Sequence, residues 1–183
     1  MRHSHFFVHQ LNKGFTLIET IVGIVVLAVS FSVLTSLIYP VSEQSADQLH
    51  QIKASELAQS ILNEIQNKAF DQNSDMAGGR VRCGETDAPA CSAVLAAEAG
   101  EARETFNDVD DYNGLFYNAG DIEDSQGNAL VLYEGYAMNI SVCNDANYNG
   151  SCTGDIKTAK LITITITTPT GFSMSFSTYR ANF

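Results

Sequence analysis

Basic residues are scarce in this chain, which has 10 Lys and Arg against 21 Asp and Glu in 183 residues and a formal net charge of −11. Binding along nucleic-acid phosphates needs clustered Lys and Arg, so this composition argues against a broad nucleic-acid-binding surface. The phosphate-binding loop that ends in Gly-Lys-Ser/Thr and the nucleophile elbow Gly-x-Ser-x-Gly are both missing. No catalytic residue is predicted, and the chain is not expected to be an enzyme.

Charged residues are also missing from the whole stretch between Thr20 and Ser42. A helix needs about 20 apolar residues to cross the hydrocarbon core of a bilayer, so this stretch predicts a membrane-spanning segment. Arg2 and Lys13 precede the stretch, and the next basic residue is Lys53. The positive-inside rule then places the N-terminus in the cytoplasm and the larger C-terminal part outside it.

A cleavage site of the ordinary secretory kind is missing as well. Secretory signals carry a small-x-small site after the apolar region, and none follows the apolar run before Pro40. The small residue Gly14 instead precedes the run, within the sequence KGFTLIE from Lys13 to Glu19. Cleavage at Gly14 would remove a polar leader and keep the apolar helix.

The KGFTLIE sequence closely resembles the processing motif of type IV prepilins and type II secretion pseudopilins. The resemblance implies that a prepilin peptidase and methyltransferase cuts between Gly14 and Phe15 and that Phe15 is then N-methylated. It also implies that Glu19 is needed for methylation or assembly. The physics agrees, because cleavage creates a positive amine on Phe15 with which the Glu19 carboxylate can pair. The alternative, that Glu19 snorkels to the cytoplasmic interface, leaves the Lys-Gly-Phe junction unexplained.

The family resemblance implies a structural subunit, expected to be a minor pilin of a type IV pilus. Such a subunit first sits in the lipid of the bacterial inner membrane as a single-pass protein, with a cytoplasmic N-terminus and a periplasmic head. An inner-membrane assembly platform then adds it to a filament of other pilin subunits. The loops DVDDYNG and CNDANYNGSC also resemble minor pilins of the mannose-sensitive haemagglutinin pilus. A type II secretion pseudopilin and a membrane-tethered binding protein or adhesin are the alternatives.

The pattern after Pro40 is helical at first and strand-like later. Apolar residues at steps of three and four predict one long helix from about Phe15 to Phe70, with room for a bend at Pro40. Strict alternation of apolar and polar residues then predicts strands with one wetted face. The alternating apolar residues are Tyr136, Met138, Ile140, Val142, Ile162, Ile164, Ile166, Phe172, Met174 and Phe176.

These patterns predict an α+β protein in four parts. The parts are a cleaved leader at 1–14, a membrane-spanning and filament-core helix at 15–40, an amphipathic continuation at 41–70, and a globular head at 71–183. The pilin resemblance implies that the helix packs across an antiparallel sheet in the head. The region before the strands is mostly loop, with a short helix predicted at Ser92–Ala102.

Four cysteines form two local pairs, Cys83 with Cys91 and Cys143 with Cys152. Seven and eight residues separate the partners, whereas zinc sites usually have much tighter pairs. Closeness in sequence therefore predicts two disulfide loops, which form in an oxidising compartment. Four unpaired buried thiols in a cytoplasmic protein are the alternative.

One acidic loop has the start of a calcium-binding pattern. Asp145, Asn147 and Asn149 stand at alternate positions before a glycine, as in D-x-[DN]-x-[DN]-G. The pattern then fails, because the twelfth position is Ile156 and the nearest carboxylate, Asp155, comes one place early. A weak calcium site with these four polar side chains is predicted, and no other cofactor. A disulfide-closed turn is the alternative.

Overall fold

The structure is a computed structural model that describes residues 14–76 and 79–183, and only the backbone of residues 39–43. The predicted leader at 1–14 lies outside the described residues except for Gly14. The chain divides into two compact units, Met1–Ala46 and Asp47–Phe183. Each unit is described by itself below.

Helix α1 runs continuously from Leu17 to Gln66 and includes Pro40. It ends four residues before the predicted Phe70, because the backbone there forms hydrogen bonds with a distant loop instead of with the preceding helical turn. Ala69 donates its N–H to the Asn107 carbonyl at 3.2 Å and accepts the N–H of Val109 at 3.1 Å. Residue 69 therefore pairs like a strand with a distant loop, which is incompatible with a further helical turn.

The first unit contains the apolar part of α1. Leu17–Ile38 has a mean hydropathy of 2.6, and none of its side chains is buried within the protein. By length and composition this segment can cross a membrane. Within the described residues no neighbour shields its side chains, so the apolar surface is presented outward on every side.

The second unit is a sheet packed against the last turns of α1. Four antiparallel strands, in the order β1-β2-β3-β4, form the sheet. The strands are β1 Phe116–Tyr117, β2 Ala137–Asn144, β3 Ala159–Thr167 and β4 Ser173–Ala181. The predicted combination of a long N-terminal helix and an antiparallel sheet is confirmed.

The register of the sheet follows the alternation in the sequence. Ile140 pairs with Ile164, which pairs with Phe176 on β4. This inner face meets the helix, and the two together form the core of the unit. The core residues of α1 are Ala54, Leu57, Ala58, Ile61 and Ile65, and those of the sheet are Tyr117, Met138, Ile140, Val142, Ile162, Ile164 and Ile166.

The outer face of β2, β3 and β4 is polar but carries no charge. Three cross-strand pairs of hydroxyls join β3 to β4 at 2.8–2.9 Å, namely Thr163 with Ser177, Thr165 with Ser175, and Thr167 with Ser173. The exposed and half-exposed residues of this face are Ala137, Asn139, Ser141, Cys143, Leu161, Thr163, Thr165, Thr167, Ser173, Ser175, Ser177, Tyr179 and Ala181. The polar groups that wet this face are therefore hydroxyls and one side-chain amide, beside a few small or apolar side chains.

The helix predicted at Ser92–Ala102 is wrong, since this segment is an irregular loop. Its backbone groups bond to side chains and tight turns instead of to one another four residues apart. The Leu95 carbonyl accepts the Asn113 side-chain amide at 2.8 Å, and the Glu98 N–H donates to the Glu101 carboxylate at 3.2 Å. Gly100 adopts a φ of +96°, which no residue of a right-handed helix has.

Candidate functional sites

The predicted cleavage junction lies immediately before α1. Gly14, Phe15 and Thr16 have no regular secondary structure, and the helix begins at Leu17. The Phe15 side chain is 85% exposed. A β-carbon added at Gly14 would meet no atom within 4 Å. The peptide bond between Gly14 and Phe15 is therefore outside the helix and free of neighbours in the described chain.

Thr16 and Glu19 bond to each other across the first turn of the helix. The Glu19 N–H donates to the Thr16 hydroxyl at 3.3 Å, and the Thr16 N–H donates to the Glu19 carboxylate at 3.5 Å. This reciprocal pair is a capping box, whose signature Thr-x-x-Glu is visible in the sequence. Sequence reasoning assigned Glu19 but missed Thr16. The carboxylate also suits the positive end of the helix dipole.

Comparison with known proteins bears on this end of the chain only. A model of the prokaryotic N-terminal methylation motif matches residues 10–35. The chain carries a methylation motif. The matched residues include Gly14, Phe15 and Glu19 and most of the apolar segment. No curated protein and no solved structure matches the chain.

In the second unit, the buried amine of Lys160 joins β3 to two loops. Its Nζ lies 2.6 Å from the Phe70 carbonyl, 2.6 Å from Asp110 Oδ1 and 3.5 Å from Asp71 Oδ2. All three charged side chains are at most 1% exposed. Burial raises the pKa of Asp110, and the attraction of Lys160 opposes that rise. Sequence reasoning missed this network.

A second ion pair joins α1 to the loop that precedes β1. Arg103 makes a two-pronged contact with Glu64, with distances of 2.7 and 2.8 Å, and the Tyr112 hydroxyl donates to the same carboxylate at 2.7 Å. Burial alone would raise the pKa of Glu64, but these bonds lower it below its ordinary value. Glu64 therefore stays ionised and connects α1 to the loop through Arg103 and Tyr112.

Three further carboxylates converge close to this loop. Oxygens of Glu98, Glu101 and Asp111 all lie within 4.8 Å of one another. Burial raises the pKa of Glu98 to about 7, and a hydrogen bond shared with Glu101 adds to the rise. Burial also raises the pKa of Asp111, which is 3% exposed. These three residues are called the acidic trio below, and the sequence analysis assigned none of them.

The predicted calcium loop is organised by its own hydrogen bonds. Asp145 is buried, and its Oδ2 accepts the Tyr179 hydroxyl at 2.7 Å and the Gly150 N–H at 2.8 Å. Burial would raise the pKa of Asp145, but these donors lower it overall. The exposed Asn149 accepts the Ser151 N–H at 2.8 Å.

The fourth predicted calcium ligand takes part in a separate turn. Asp155 is exposed, and its Oδ1 accepts the Lys157 N–H at 3.0 Å and the Thr158 hydroxyl at 2.8 Å. The fit to a calcium ion is therefore poor, because Asp145 and Asp155 organise two separate hydrogen-bonded turns instead of one set of ligands. Calcium binding by Asp145, Asn147, Asn149 and Asp155 stays a prediction.

The structure contains both predicted disulfides, Cys83–Cys91 and Cys143–Cys152. The first pair is buried next to Phe70, and the second closes the loop that carries Asp145. The Ser92 N–H, one residue after the first pair, donates to Asp71 Oδ2 at 2.8 Å. This disulfide therefore lies beside Phe70 and Asp71, the two residues after α1 that Lys160 contacts.

Proposed function

We propose that this chain is the precursor of a structural pilin subunit that is inserted in the bacterial inner membrane, cut between Gly14 and Phe15, and assembled into a type IV filament. The observation that carries the proposal is the methylation motif over residues 10–35. Two structural features support it, namely the accessible junction at Gly14 and the outward-facing apolar helix of Leu17–Ile38.

The apolar segment has the length that membrane insertion needs. Its 22 residues extend about 33 Å as a helix, against about 30 Å of hydrocarbon core. Arg2 and Lys13 favour a cytoplasmic N-terminus and a periplasmic second unit. Removal of residues 1–14 takes away these two basic residues and no acidic ones, which changes the formal net charge from −11 to −13.

Cleavage also gives Glu19 a new partner. The α-amine of Phe15 becomes a positive charge one helical turn from the carboxylate, in a setting of low dielectric constant. In a filament the same amine can pair with Glu19 of a neighbouring copy, so that the carboxylate is neutralised where apolar helices pack together. Enzymes of the assembly machinery supply cleavage, methylation and force, and this chain is proposed to have no catalytic role.

Within this class, a minor pilin is the function that we favour. The loops DVDDYNG and CNDANYNGSC, together with the KGFTLIE motif, resemble the D-type minor pilin of the mannose-sensitive haemagglutinin pilus. A pseudopilin of a type II secretion system shares the motif, the helix and the sheet. Deletion of the gene separates the two, because a minor pilin affects surface filaments and adhesion whereas a pseudopilin affects protein secretion.

The decisive experiment is N-terminal sequencing and intact mass measurement of the membrane-bound protein from its native host. The expected product begins at Phe15 and carries one additional methyl group on its amine. A membrane-tethered binding protein, the function from another class, would keep Met1 and the leader. Recovery of only the uncut chain from cells with an active prepilin peptidase would overturn the proposal.

A further inference from the structure

The acidic trio of Glu98, Glu101 and Asp111 stands apart from the ion pairs that stabilise the second unit. In the described part of the chain, ion pairs join Arg82 to Glu85, Arg103 to Glu64, and Lys160 to Asp71 and Asp110. None of these cations contacts a member of the trio. Three carboxylates therefore lie within 4.8 Å of one another without a neutralising side chain.

The surrounding loop holds these carboxylates in place through backbone and amide donors. Asp111 Oδ2 accepts the N–H groups of Asn107 and Asp108 at 2.7 and 3.0 Å. Glu101 accepts the Glu98 N–H through one oxygen at 3.2 Å and the Asn107 side-chain amide through the other at 2.7 Å. The positions of the carboxylates are thus fixed by the chain itself, before any ligand binds.

Two buried oxygens of the trio have no donor. Asp111 Oδ1 and Glu98 Oε2 accept no N–H or hydroxyl group, although the Asp111 side chain is more than nine-tenths buried. A buried carboxylate oxygen without such a donor is unfavourable, and ionised carboxyl groups this close repel one another except where a proton is shared, as between Glu98 and Glu101. Neighbouring Asp108 is also buried, and its Oδ2 has no partner either. A cation bound by the trio is the ligand that would relieve the unfavourable terms within it.

The chemistry of the three ligands points to calcium. Calcium accepts several carboxylate oxygens at about 2.3–2.6 Å in flexible geometry, which oxygens within 4.8 Å of one another permit. Magnesium demands near-octahedral geometry at about 2.0–2.1 Å and keeps several waters, so it is usually bound through one or two carboxylates instead of three. We propose that Glu98, Glu101 and Asp111 form a calcium-binding site on the second unit of this protein. This site is independent of the filament function proposed above and of the predicted loop at Asp145.

Thermal unfolding of the full chain in detergent, with calcium chloride or with EDTA, tests the site. The wild-type midpoint should rise by about 3–8 °C in about 5 mM calcium, as expected for an extracellular-type affinity. The Glu98→Gln variant should unfold at a higher temperature than wild type in EDTA, because one repelling charge is gone. The same variant should lose most of the calcium response, with an affinity at least about tenfold weaker.

The matched control is Glu104→Gln, the same chemical change at a nearby carboxylate outside the trio. It should keep the full calcium response. Should Glu98→Gln not fold, Glu101→Gln replaces it, and tyrosine-sensitised terbium luminescence that calcium displaces reports binding to the wild type directly. The proposal is overturned by an absent wild-type response, by an equal response in the trio variants, by an equal response to magnesium, or by a response lost only in Asp145→Asn.

Discussion

The two ends of helix α1 use apolar residues in opposite ways. From Leu17 to Ile38 every large apolar side chain is exposed, whereas Leu57, Ile61 and Ile65 are at most 3% exposed. The first segment packs against nothing in the described part of its own chain, and the second segment is buried under a sheet. One continuous helix therefore combines a surface that needs an external partner with a surface that is already satisfied.

Charged groups in the two units also differ in whether their partners are already present in the chain. In the first unit the Glu19 carboxylate accepts the Thr16 N–H, and its main partner is expected to appear after cleavage. In the second unit buried Lys160 already contacts Asp71 and Asp110. Changes in the first unit should therefore impair processing and assembly and leave the stability of the second unit unchanged. Changes in the second unit should have the reverse effect.

The largest effect is expected for Gly14→Val, which should leave the precursor uncut. The described part of the chain has room for the new side chain, since none of its atoms beyond the adjacent residues lies within 4 Å of the added β-carbon. Any block must therefore come from the peptidase, which needs close access to this carbonyl. Intact mass measurement of membrane fractions checks the result. Gly23→Val is the matched control, because Gly23 has equal space and lies beyond the junction. Normal leader removal from Gly14→Val would contradict the prediction.

Glu19→Val should be inserted and cut but should be nearly absent from filaments, because the Phe15 amine loses its partner. Immunoblotting of sheared filaments against membrane fractions measures the ratio. Thr16→Val removes the capping hydroxyl and keeps the carboxylate, so it should assemble close to the wild-type level. Equal loss in both variants would assign Glu19 a role in helix capping instead of in charge pairing.

Lys160→Met should lower the free energy of unfolding of the second unit by about 3–5 kcal/mol, because it leaves buried Asp71 and Asp110 without their cation. Chemical unfolding followed by near-ultraviolet circular dichroism measures the loss. The exposed Lys157→Met is the control and should change stability by less than about 0.5 kcal/mol. Leader removal should be normal in both variants, which would separate the two units experimentally.

Replacing Cys143 and Cys152 together by serine should lower stability by about 2–3 kcal/mol, through the added freedom of the unfolded chain. Peptide mapping without reduction should recover the pairs Cys83–Cys91 and Cys143–Cys152 from wild type. Free thiols or crossed pairs in protein from the native host would refute the pairing.

The smallest effect is expected for Asp145→Ala, at about 1–2 kcal/mol, since the Tyr179 hydroxyl and the Gly150 N–H lose their acceptor. The comparison is made in calcium-free buffer and again with millimolar calcium. A loss of the same size in both buffers identifies Asp145 as a turn organiser. A calcium stabilisation that only the wild type shows would support the calcium prediction for this loop.

Much of this architecture follows from short-range patterns in the sequence. Uniform apolarity predicted the exposed segment, period-two alternation predicted β2 to β4, and closeness predicted both disulfides. Each of these signals depends on residues near one another in the chain. The Thr16–Glu19 capping box is also a local signal, and it was readable from the Thr-x-x-Glu spacing.

What the sequence did not predict depends on contacts between distant residues. Lys160 lies on the same inward face of β3 as Ile162 and Ile164, so the alternation of the strand indicated a buried cation. Its partners Asp110 and Asp71 lie about 50 and 90 positions away in the sequence, and no local pattern indicated them. The acidic trio arises because loop residues 98–111 fold back on themselves. The helix predicted at Ser92–Ala102 was wrong for the same reason, since alanine-rich composition favours helix only where no side chain competes for the backbone.

The uncharged outer face of the sheet is a place where copies of this acidic chain can approach one another without facing charged side chains. A chain with a net charge of −11 repels its own copies over most of its surface, and that repulsion grows as salt is removed. The Thr and Ser side chains of β3 and β4 carry no charge, so an approach along this face requires no counterion uptake. It also involves no proton exchange across the range in which carboxylates titrate. On this face of an acidic protein, contact between copies is governed by shape and by displacement of bound water.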